Sequence, residues 1–481
     1  MKTFKNLIGG EWVAASDAAV FETRNPADKR ESLGLFPSAS REDARRAVEA
    51  AQAAFPGWAG TAAPARGAIL DKASQILAAR LDDIAACLTR EEGKTLAESR
   101  LEVARARDIF RYYGAEGWHM GGDVLPANTS DTLLFTRREP IGVVSVITPW
   151  NFPIAIPAWK IAPALAYGNT LVFKPASWAP QTPLMMIEAL VEAGLHPGVV
   201  NYITGSGGTL GDEMVTNPAV KGISFTGSHP IGTRIYAKAI PNLTRVQLEM
   251  GGKNPIIVLQ DADLDLAVDL AVRSGFGLTG QACTAASRVI VEEAIADRFA
   301  QALADAARRL RVGNGLESGV QMGPAVSQDQ LNTDLKYIEI GRKEGAQLIA
   351  GGGLAGDGGF FIQPTVFDHA GSGMRIAQEE IFGPVVCLLR VKNLEEAIAA
   401  ANSASFGLSA GIVTNDMRKA FAFAYRIEAG VVKINEPTTG LALQAPFGGF
   451  KLSSANTFKE QGRAAVEFYT RTKTVYLKHG Q

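Results

Sequence analysis

The chain has 481 residues, of which 47% are hydrophobic and 20% are charged, a composition typical of a folded globular protein with two or three domains. It leaves little room for a long disordered tail. The 48 basic and 49 acidic residues nearly cancel, which argues against a nucleic-acid-binding protein, because such proteins carry a basic excess or a basic stripe.

The N-terminal segment does not predict a signal peptide, because Gly9, Gly10 and Glu11 interrupt its apolar residues. The most apolar long uncharged stretch, residues 141–159, contains three prolines four residues apart, which disfavours a membrane helix. The three cysteines are far apart in sequence and match neither a disulfide framework nor a zinc-ligand pattern. We therefore expect a cytoplasmic protein that binds neither membrane nor metal.

The first part of the chain predicts amphipathic helices. Ser40 and Asp43 form a capping-box pattern ahead of apolar residues at helical spacing. Residues 67–86 and 102–118 predict two further helices.

From residue 142 onward, short β-branched runs alternate with helical segments. A first block predicts strands at 142–148, 170–173, 199–203 and 222–225 and helices near 160–167, 184–193 and 208–215. A second block predicts strands at 254–258, 288–291, 347–350 and 408–413 and helices at 264–273, 294–310 and 394–402. This alternation indicates an α/β protein with two units, in which helices cover both faces of a parallel sheet. Residues 133–137 and 473–477 predict strands outside both blocks, and 351–359 a surface loop.

Cys283 is the main candidate for a reactive side chain. Its neighbours Gly280, Gln281 and Thr284 are small or polar, so a loop can expose the thiol to a pocket. A thiolate is a strong nucleophile toward carbonyl carbon if the protein lowers its pKa. The alternative is a buried cysteine without a role, which is the expectation for the other two cysteines.

Two further residues have side chains suited to acyl chemistry. Glu249 stands between apolar residues and precedes two glycines, so partial desolvation would raise its pKa toward that of a general base. Asn151 lies between Pro149 and Pro153. It is either a turn-forming residue or a rigid amide that donates to an oxyanion.

Nucleotide binding has weaker signals. Gly227 follows a predicted strand and Gly232 lies near the next helix start, a context that suits a pyrophosphate at a helix N-terminus. The pattern is not the G-x-G-x-x-G fingerprint. Lys174 ends a predicted strand and either reaches a ribose or phosphate or is an ordinary surface lysine.

Seven motifs occur in a fixed order: TPWNFP at 148–153, FKPAS at 173–177, FTGS at 225–228, LEMGGKNP at 248–255, GQAC at 280–283, EEIFGPV at 379–385 and PFGG at 446–449. Through them the chain resembles the aldehyde dehydrogenase superfamily over nearly its whole length. It is most similar to the bacterial 2-oxoglutarate semialdehyde (2,5-dioxopentanoate) dehydrogenases, through ITPWNFPIAIPAWK at 147–160, VQLEMGGKNP at 246–255 and GRAAVEFYTRTKT at 462–474.

The resemblance implies a three-part architecture. A Rossmann-type nucleotide-binding domain would comprise residues 1–122 and 142–251, and an α/β catalytic domain residues 252–452. A small β oligomerisation arm would comprise residues 123–141 and 453–481 and would add to a neighbouring subunit. A homodimer or homotetramer is the implied assembly.

The resemblance also implies NAD(P)-dependent, non-acylating oxidation of an aldehyde to an acid through a cysteine thiohemiacetal and thioester. The implied substrate is 2-oxoglutarate semialdehyde; the alternatives are succinate semialdehyde, a broad or aromatic aldehyde range, and a catalytically silent binding protein on the same fold. The implied catalytic residues are Cys283, Glu249, Asn151 and Lys174. The implied cofactor contacts are Thr148, Pro149, Trp150, Lys174, Ser177, Phe225, Gly227, Ser228, Glu249, Gly251, Glu380 and Phe382.

The resemblance also implies a set of residues that bind the substrate: Phe110, Arg111, Trp118, Trp159, Thr284, Arg288 and Phe447. Arg111 and Arg288 are alternative partners for a substrate carboxylate, and the sequence does not choose between them.

Two positions depart from the family pattern. Leu278 stands where the family usually has Asn, and Ser177 stands where NAD-preferring members often carry Glu. Because a neutral serine does not repel a 2′-phosphate, we expect NADP to be accepted at least as well as NAD.

Overall fold

The computed structural model describes residues 2–455 and 457–479. Its α-helices are α1 Arg41–Gly60, α2 Ala63–Ala79, α3 Leu81–Glu92, α4 Leu96–Glu116, α5 Ala155–Ala166, α6 Gln181–Glu192, α7 Gly207–Thr216, α8 His229–Ala239, α9 Leu264–Phe276, α10 Glu293–Arg309, α11 Gln328–Lys343, α12 Arg375–Gln378, α13 Leu394–Asn402, α14 Met417–Arg426 and α15 Ala465–Tyr469. Short 3₁₀ turns occupy Ile240–Asn242, Gly277–Gly280 and Gly462–Ala464.

The strands alternate with these helices along most of the chain. They are β1 Asn6–Ile8, β2 Glu11–Val13, β3 Val20–Asn25, β4 Asp28–Pro37, β5 Val124–Leu125, β6 Thr132–Pro140, β7 Val143–Ile147, β8 Thr170–Lys174, β9 Val200–Tyr202, β10 Val220–Thr226, β11 Arg245–Glu249, β12 Asn254–Val258, β13 Ala286–Glu292, β14 Gln347–Ala350, β15 Thr365–Asp368, β16 Val385–Val391, β17 Phe406–Gly407, β18 Ser409–Val413, β19 Val431–Ile434, β20 Phe450–Lys451 and β21 Thr470–Lys478.

The first α/β unit is built on a seven-stranded sheet in the order β11-β10-β7-β8-β9-β1-β2. The first five strands of this order are parallel, and the hairpin β1–β2 adds an antiparallel edge. Adjacent residues on β7 point to opposite faces, as the pleat requires. Val143 packs with α1, α7 and α8, whereas Val144 packs with α2 to α6.

The second unit is built on another seven-stranded sheet, in the order β14-β15-β16-β13-β12-β18-β19. Its strands are parallel except β14, which pairs antiparallel with β15. A separate hydrophobic cluster covers each face. The predicted α/β class, with its two helix-covered parallel sheets, is confirmed.

A three-stranded sheet, β21-β6-β5, stands apart from both units. β21 pairs antiparallel with β6 from Thr470↔Pro140 to Lys478↔Thr132. These strands lie within the residues predicted to form the arm, whereas Phe468 and Tyr469, from the same predicted segment, pack in the core of the first unit. The division into domains stays a prediction.

One predicted element is wrong. Residues 67–86 form parts of two helices, α2 and α3, separated at Arg80, whose backbone (φ −105°, ψ 14°) leaves the helical conformation. Arg80 pairs there with Glu192 of α6. The apolar repeat continues through the break, since Leu77 and Ile84 are both fully buried, and the pattern alone therefore reads as one helix.

The apolar residues 141–159 form strand β7, a turn and the start of α5. Across the described part of the chain, no helix has both the length and the apolarity needed to cross a membrane.

Candidate active site

A cavity of about 270 Å³ lies where the carboxyl ends of several strands meet the second unit. Carboxyl ends of parallel strands are where α/β proteins bind ligands. The lining residues come from the segments that follow β7, β10 and β11, from the loop before β13 and from the segment before β16: Pro149, Trp150, Asn151, Ile156, Thr226, Gly227, Ser228, Met250, Gly251, Cys283, Gln330, Glu380, Ile381 and Phe382.

Cys283 lies at the wall of this cavity, partly exposed. A loop of unusual geometry carries it: Leu278, Thr279 and Gly280 all have positive φ, at 54°, 58° and 67°. A Cβ on Gly280 would come within 2.4 Å of the Gly383 carbonyl oxygen, so this loop packs tightly on the second unit. Burial, with the charges of Glu249 and Glu380, raises the pKa of the Cys283 thiol to about 12.

Asn151 is fixed from both its side chain and its backbone. Its Nδ2 donates to the carbonyl oxygen of Gln281 at 2.9 Å, two residues before Cys283. Its own carbonyl accepts from Lys94 Nζ at 2.6 Å, and Lys94 also pairs with Glu102 at 2.6 Å. Since an amide nitrogen carries two N–H groups, Nδ2 keeps a second donor for a ligand next to Cys283.

Glu249 ends β11 just before the lining residues Met250 and Gly251 and is almost fully buried. Its Oε2 accepts from Gly449 N at 3.3 Å, and within the described residues its buried Oε1 has no partner. Burial and the nearby Glu460 raise the pKa of Glu249 well above the usual value. A carboxyl group with a raised pKa that keeps one oxygen unpaired is suited to take a proton from water.

Behind Glu249 lies a buried ion pair. Lys160 Nζ bonds Glu460 Oε1 and donates to Ser224 Oγ at 3.0 Å. The other Glu460 oxygen accepts from Trp159 Nε1 at 2.7 Å. Lys160 opposes the effect of Glu460 on the pKa of Glu249.

A second cavity, of about 380 Å³, contains Lys174 and, like the first, is lined by the carboxyl end of β10. Its walls also include Phe225 at the end of β10 and Gly207, Gly208 and Gly211 from the first turns of α7. Burial lowers the pKa of Lys174 to about 8, and its Nζ donates to the carbonyl oxygen of Pro175 at 2.8 Å. The structure places Lys174 at the wall of this cavity and not among the residues that line the cavity of Cys283, and its catalytic and nucleotide-binding roles stay predictions.

The residues between the two cavities are those predicted to hold a pyrophosphate. Gly227 and Ser228 precede α8, and the Ser228 side chain makes no hydrogen bond to the first turn of that helix. Thr148 N donates to the carbonyl of Lys174 at 3.3 Å, which joins the two strand ends. Ser177 Oγ donates to the carbonyl of Gly205 at 3.3 Å, near the first turn of α7.

Glu380 and Phe382 form the wall opposite β11. Glu380 Oε1 accepts from Gly252 N at 3.0 Å, and a Cβ on Gly251 would lie 2.0 Å from the same carboxylate. Burial raises the pKa of Glu380 to about 7. The Phe382 ring contacts the Trp150 ring edge-on at 5.5 Å, and Phe382 itself has a positive φ of 64°, a strained conformation of the kind found at functional sites.

Four of the predicted substrate residues lie elsewhere. Arg288 is buried in the second unit, where its guanidinium donates to the carbonyls of Lys253, Ala400 and Ala401 at 2.9 to 3.0 Å. These hydrogen bonds do not support its predicted role as the partner of a substrate carboxylate. Phe110 is fully buried in the core of the first unit.

Arg111 and Trp118 are exposed and are not lining residues of either cavity described above. Trp118 is 75% exposed because α4 ends at Glu116 and Gly117 packs on the backbone of Ala63, which turns the next residue outward. Their roles in the substrate pocket stay predictions.

The other predicted substrate residues surround the reacting groups. Thr284 is buried directly after Cys283, and a hydrogen bond from its backbone N–H lowers the pKa of the thiol, against the larger effect of burial. The rings of Trp159 and Phe447 lie 6.0 Å apart, and Phe447 directly precedes the Gly448–Gly449 pair that contacts Glu249.

Sequence reasoning missed several lining residues. The glycines of α7 follow a strand in GSGGTLG at 205–211, a pattern that could have indicated phosphate binding. Thr226 and Gln330 had no such signal. Arg105, on α4, was also missed; its guanidinium lies over the Trp159 ring at 5.9 Å.

Comparison with known proteins agrees with this geometry. The sequence model of the aldehyde dehydrogenase family matches residues 12–475. The chain belongs to the aldehyde dehydrogenase family. It is therefore an enzyme and not a catalytically silent binding protein on the same fold.

Two relatives within this family support the predicted subgroup. The alpha-ketoglutarate semialdehyde dehydrogenase of Haloferax volcanii is 48% identical over 98% of each chain. The alpha-ketoglutaric semialdehyde dehydrogenase of Bacillus subtilis is 46% identical over 99% of this chain and 98% of its own. Among solved aldehyde dehydrogenases, betaine aldehyde dehydrogenase from Staphylococcus aureus in complex with NAD+ superposes with a TM-score of 0.96 at 35% identity, covering 99% of this chain and 95% of that one.

Proposed function

We propose that this aldehyde dehydrogenase oxidises 2-oxoglutarate semialdehyde to 2-oxoglutarate with NAD(P)+. The observation that carries the proposal is Cys283 at the wall of a cavity with Asn151 beside it and Glu249 at the adjoining strand end. The substrate is supported by the names of the two relatives that are 46–48% identical.

The cavities fit a dinucleotide. Gly207, Gly208 and Gly211 line the cavity that contains Lys174, so α7 presents no side chains at these three positions of the wall. Ser228 and the N-terminus of α8 would hold the pyrophosphate. Glu380 would bind the nicotinamide ribose, and Phe382 would pack near the nicotinamide ring. When bound, the oxidised nicotinamide supplies the acceptor for the hydride that leaves the substrate carbon.

The first step belongs to Cys283. The thiol gives up its proton to water, and the thiolate sulfur forms a bond to the aldehyde carbon. The π electron pair of the C=O bond moves to the oxygen, which becomes an oxyanion. The second N–H of Asn151 Nδ2 and the backbone N–H of Cys283 donate to that oxyanion. Loss of one such donor lowers the catalytic rate about 10²–10³-fold. Loss of hydride from this adduct leaves a thioester on Cys283.

Glu249 completes the turnover. Its unpaired Oε1 takes a proton from water, and the resulting hydroxide attacks the thioester carbon. The carbon–sulfur bond breaks, the acid leaves and Cys283 is regenerated. A base that hydrolyses the thioester disfavours transfer of the acyl group to coenzyme A.

A panel of aldehydes tests the substrate. We expect kcat/KM for 2-oxoglutarate semialdehyde to exceed that for succinate semialdehyde, pentanal and benzaldehyde. Equal values across the panel would favour the broad-specificity alternative, and a maximum at succinate semialdehyde would favour the shorter dicarboxylate.

The cofactor preference depends on Ser177. We expect NADP+ to be used at least as well as NAD+, and Ser177→Glu to lower kcat/KM for NADP+ about tenfold or more through charge repulsion. Ser177→Gln, which adds length without charge, is the control and should retain NADP+. A strong NAD+ preference in the unmodified enzyme would contradict this prediction.

Assembly and location complete the proposal. The arm sheet ends in the exposed strand β21, whose unpaired edge can accept another strand, which supports a homodimer or homotetramer. A cytoplasmic, reducing location suits a reaction that needs Cys283 as a free thiol.

A further inference from the structure

Arg105 projects from α4 toward the segment that precedes the arm strand β21. One of its Nη atoms donates to the carbonyl of Leu441, and the other donates to Gln461 Oε1 at 2.8 Å. The guanidinium also lies over the Trp159 ring at 5.9 Å. A guanidinium has five N–H donors, so these two hydrogen bonds leave three donors for a ligand.

Arg105 is partly buried without a carboxylate partner. Within the described residues it takes part in no ion pair, and the neighbouring Asp108 is engaged by Arg107 at 2.8 Å. Burial lowers the pKa of Arg105. Partial burial of an uncompensated cation costs free energy, and a ligand carboxylate would offset that cost.

The position of Arg105 is linked to the reacting groups by direct contacts. Trp159, which the guanidinium covers, packs against Phe447 at 6.0 Å between ring centres. Phe447 is followed by Gly448 and Gly449, which contact the Glu249 carboxylate. Arg105 is therefore connected to the catalytic base through Trp159, Phe447 and Gly449.

The other arginines considered for this role have different surroundings. The Arg288 guanidinium donates its hydrogen bonds to backbone carbonyls. Arg111 and Arg463 are exposed. Arg463 lines a separate surface cavity with arm residues such as Arg138.

We propose that Arg105 binds the carboxylate of the semialdehyde substrate, at the end opposite the aldehyde. The guanidinium and carboxylate are suited to a two-point, charge-assisted hydrogen bond. The proposal rests on the proposed function and identifies the group that distinguishes a carboxylate-bearing aldehyde from an uncharged one.

Replacement of Arg105 tests the proposal with two aldehydes of equal chain length, 2-oxoglutarate semialdehyde and pentanal. Arg105→Gln removes the charge but keeps N–H donors for the Leu441 carbonyl. We expect kcat/KM for the semialdehyde to fall about 10- to 100-fold, mainly through KM, because the substrate carboxylate loses its charge-assisted hydrogen bonds. The value for pentanal should stay within about twofold.

Two further variants sharpen the result. Arg105→Lys should recover part of the lost kcat/KM for the semialdehyde, because lysine carries the positive charge but lacks the planar guanidinium. Arg100→Gln is the matched control, since Arg100 lies on the same helix, exposed and paired with Asp82 at 2.8 Å. Its two kcat/KM values should both equal those of the unmodified enzyme.

The outcomes separate the two proposals. An unmodified enzyme that does not prefer the semialdehyde over pentanal would overturn the proposed function. If that preference exists but persists in Arg105→Gln, or if both substrates lose activity equally, Arg105 does not bind the carboxylate and this inference is wrong.

Discussion

Cys283 at the cavity wall and the buried Glu249 are both weak acids, and the charge of Glu249 adds to the desolvation that raises the pKa of Cys283. In the cofactor-free enzyme the thiol is therefore protonated near neutral pH. Asn151 and the loop that precedes Cys283 fix the position of the sulfur, while its ionisation is left unfavourable.

The alkylation of Cys283 by iodoacetamide should depend steeply on pH. The thiolate fraction of a group with a pKa of about 12 grows about tenfold per pH unit at lower pH. We therefore expect the rate in the cofactor-free enzyme to rise about tenfold per unit between about pH 7 and 9. Peptide mass spectrometry assigns the site, and Cys283→Ser is the control. A rate that levels off below about pH 8 would contradict a raised pKa.

Glu249→Gln should separate the two halves of the reaction. Cys283 can still be acylated, but no carboxylate activates water, so the thioester should accumulate. We expect a burst of about one NAD(P)H per active site, followed by a steady state about 10²–10⁴-fold slower. Stopped-flow absorbance and intact-protein mass measure the two quantities. A normal steady-state rate would exclude Glu249 as the base, and Cys283→Ser should show no burst.

At the scale of elements, the segment between α9 and β13 combines strain with tight packing. Three consecutive residues there have positive φ, and only one of them is glycine. The Leu278 N–H donates to Glu98 Oε1 at 2.8 Å, so α4 anchors the loop through its first turn. α4 also carries Glu102, the partner of Lys94, and thereby supports Asn151 from a second direction.

Leu278→Asn should stabilise the enzyme. Leucine in the left-handed region costs about 1–2 kcal/mol, whereas asparagine adopts it with less strain. We expect a gain of about 1 kcal/mol, seen as a rise of about 1 °C or more in Tm. Leu278→Ala, which removes side-chain contacts and keeps the strain, should lower Tm. A Tm for Leu278→Asn at or below that of the unmodified enzyme would show that packing of the leucine outweighs the strain.

At the scale of the whole molecule, the site exists only where the two units meet. Asn151 belongs to the first unit and Gln281 to the second, and their hydrogen bond joins segments 130 residues apart. The arm extends from the first unit, and its strand β21 exposes Tyr476 and Leu477, at 72% and 52%. Exposed apolar residues on an unpaired strand edge are typical of a surface that another subunit covers.

The paired substitutions Tyr476→Glu and Leu477→Glu should weaken assembly. Two charges on this edge oppose burial against another subunit. Light scattering after size-exclusion chromatography should show a lower mass than that of the unmodified enzyme. Met417→Glu is the control, because Met417 is also exposed (63%) but lies on α14 of the second unit. An unchanged mass in the double variant would exclude the arm as the interface.

Local patterns in the sequence determined the α/β class, the order of most elements and the positions of Cys283, Glu249 and Asn151. Strand–helix alternation is a short-range signal, and seven motifs in a fixed order identify the family without any contact being known. The break at Arg80 was missed because a buried apolar repeat continues across it.

Only the tertiary structure shows what each arginine side chain contacts. Arg288 and Arg105 are the same residue type, and neither has a distinctive neighbourhood in sequence. Arg288 lies among the carbonyls of Ala400 and Ala401, whereas Arg105 meets Gln461, 356 residues further along the chain. A side chain's charge environment is set by residues that only folding brings near, so local pattern could propose candidates but could not choose among them.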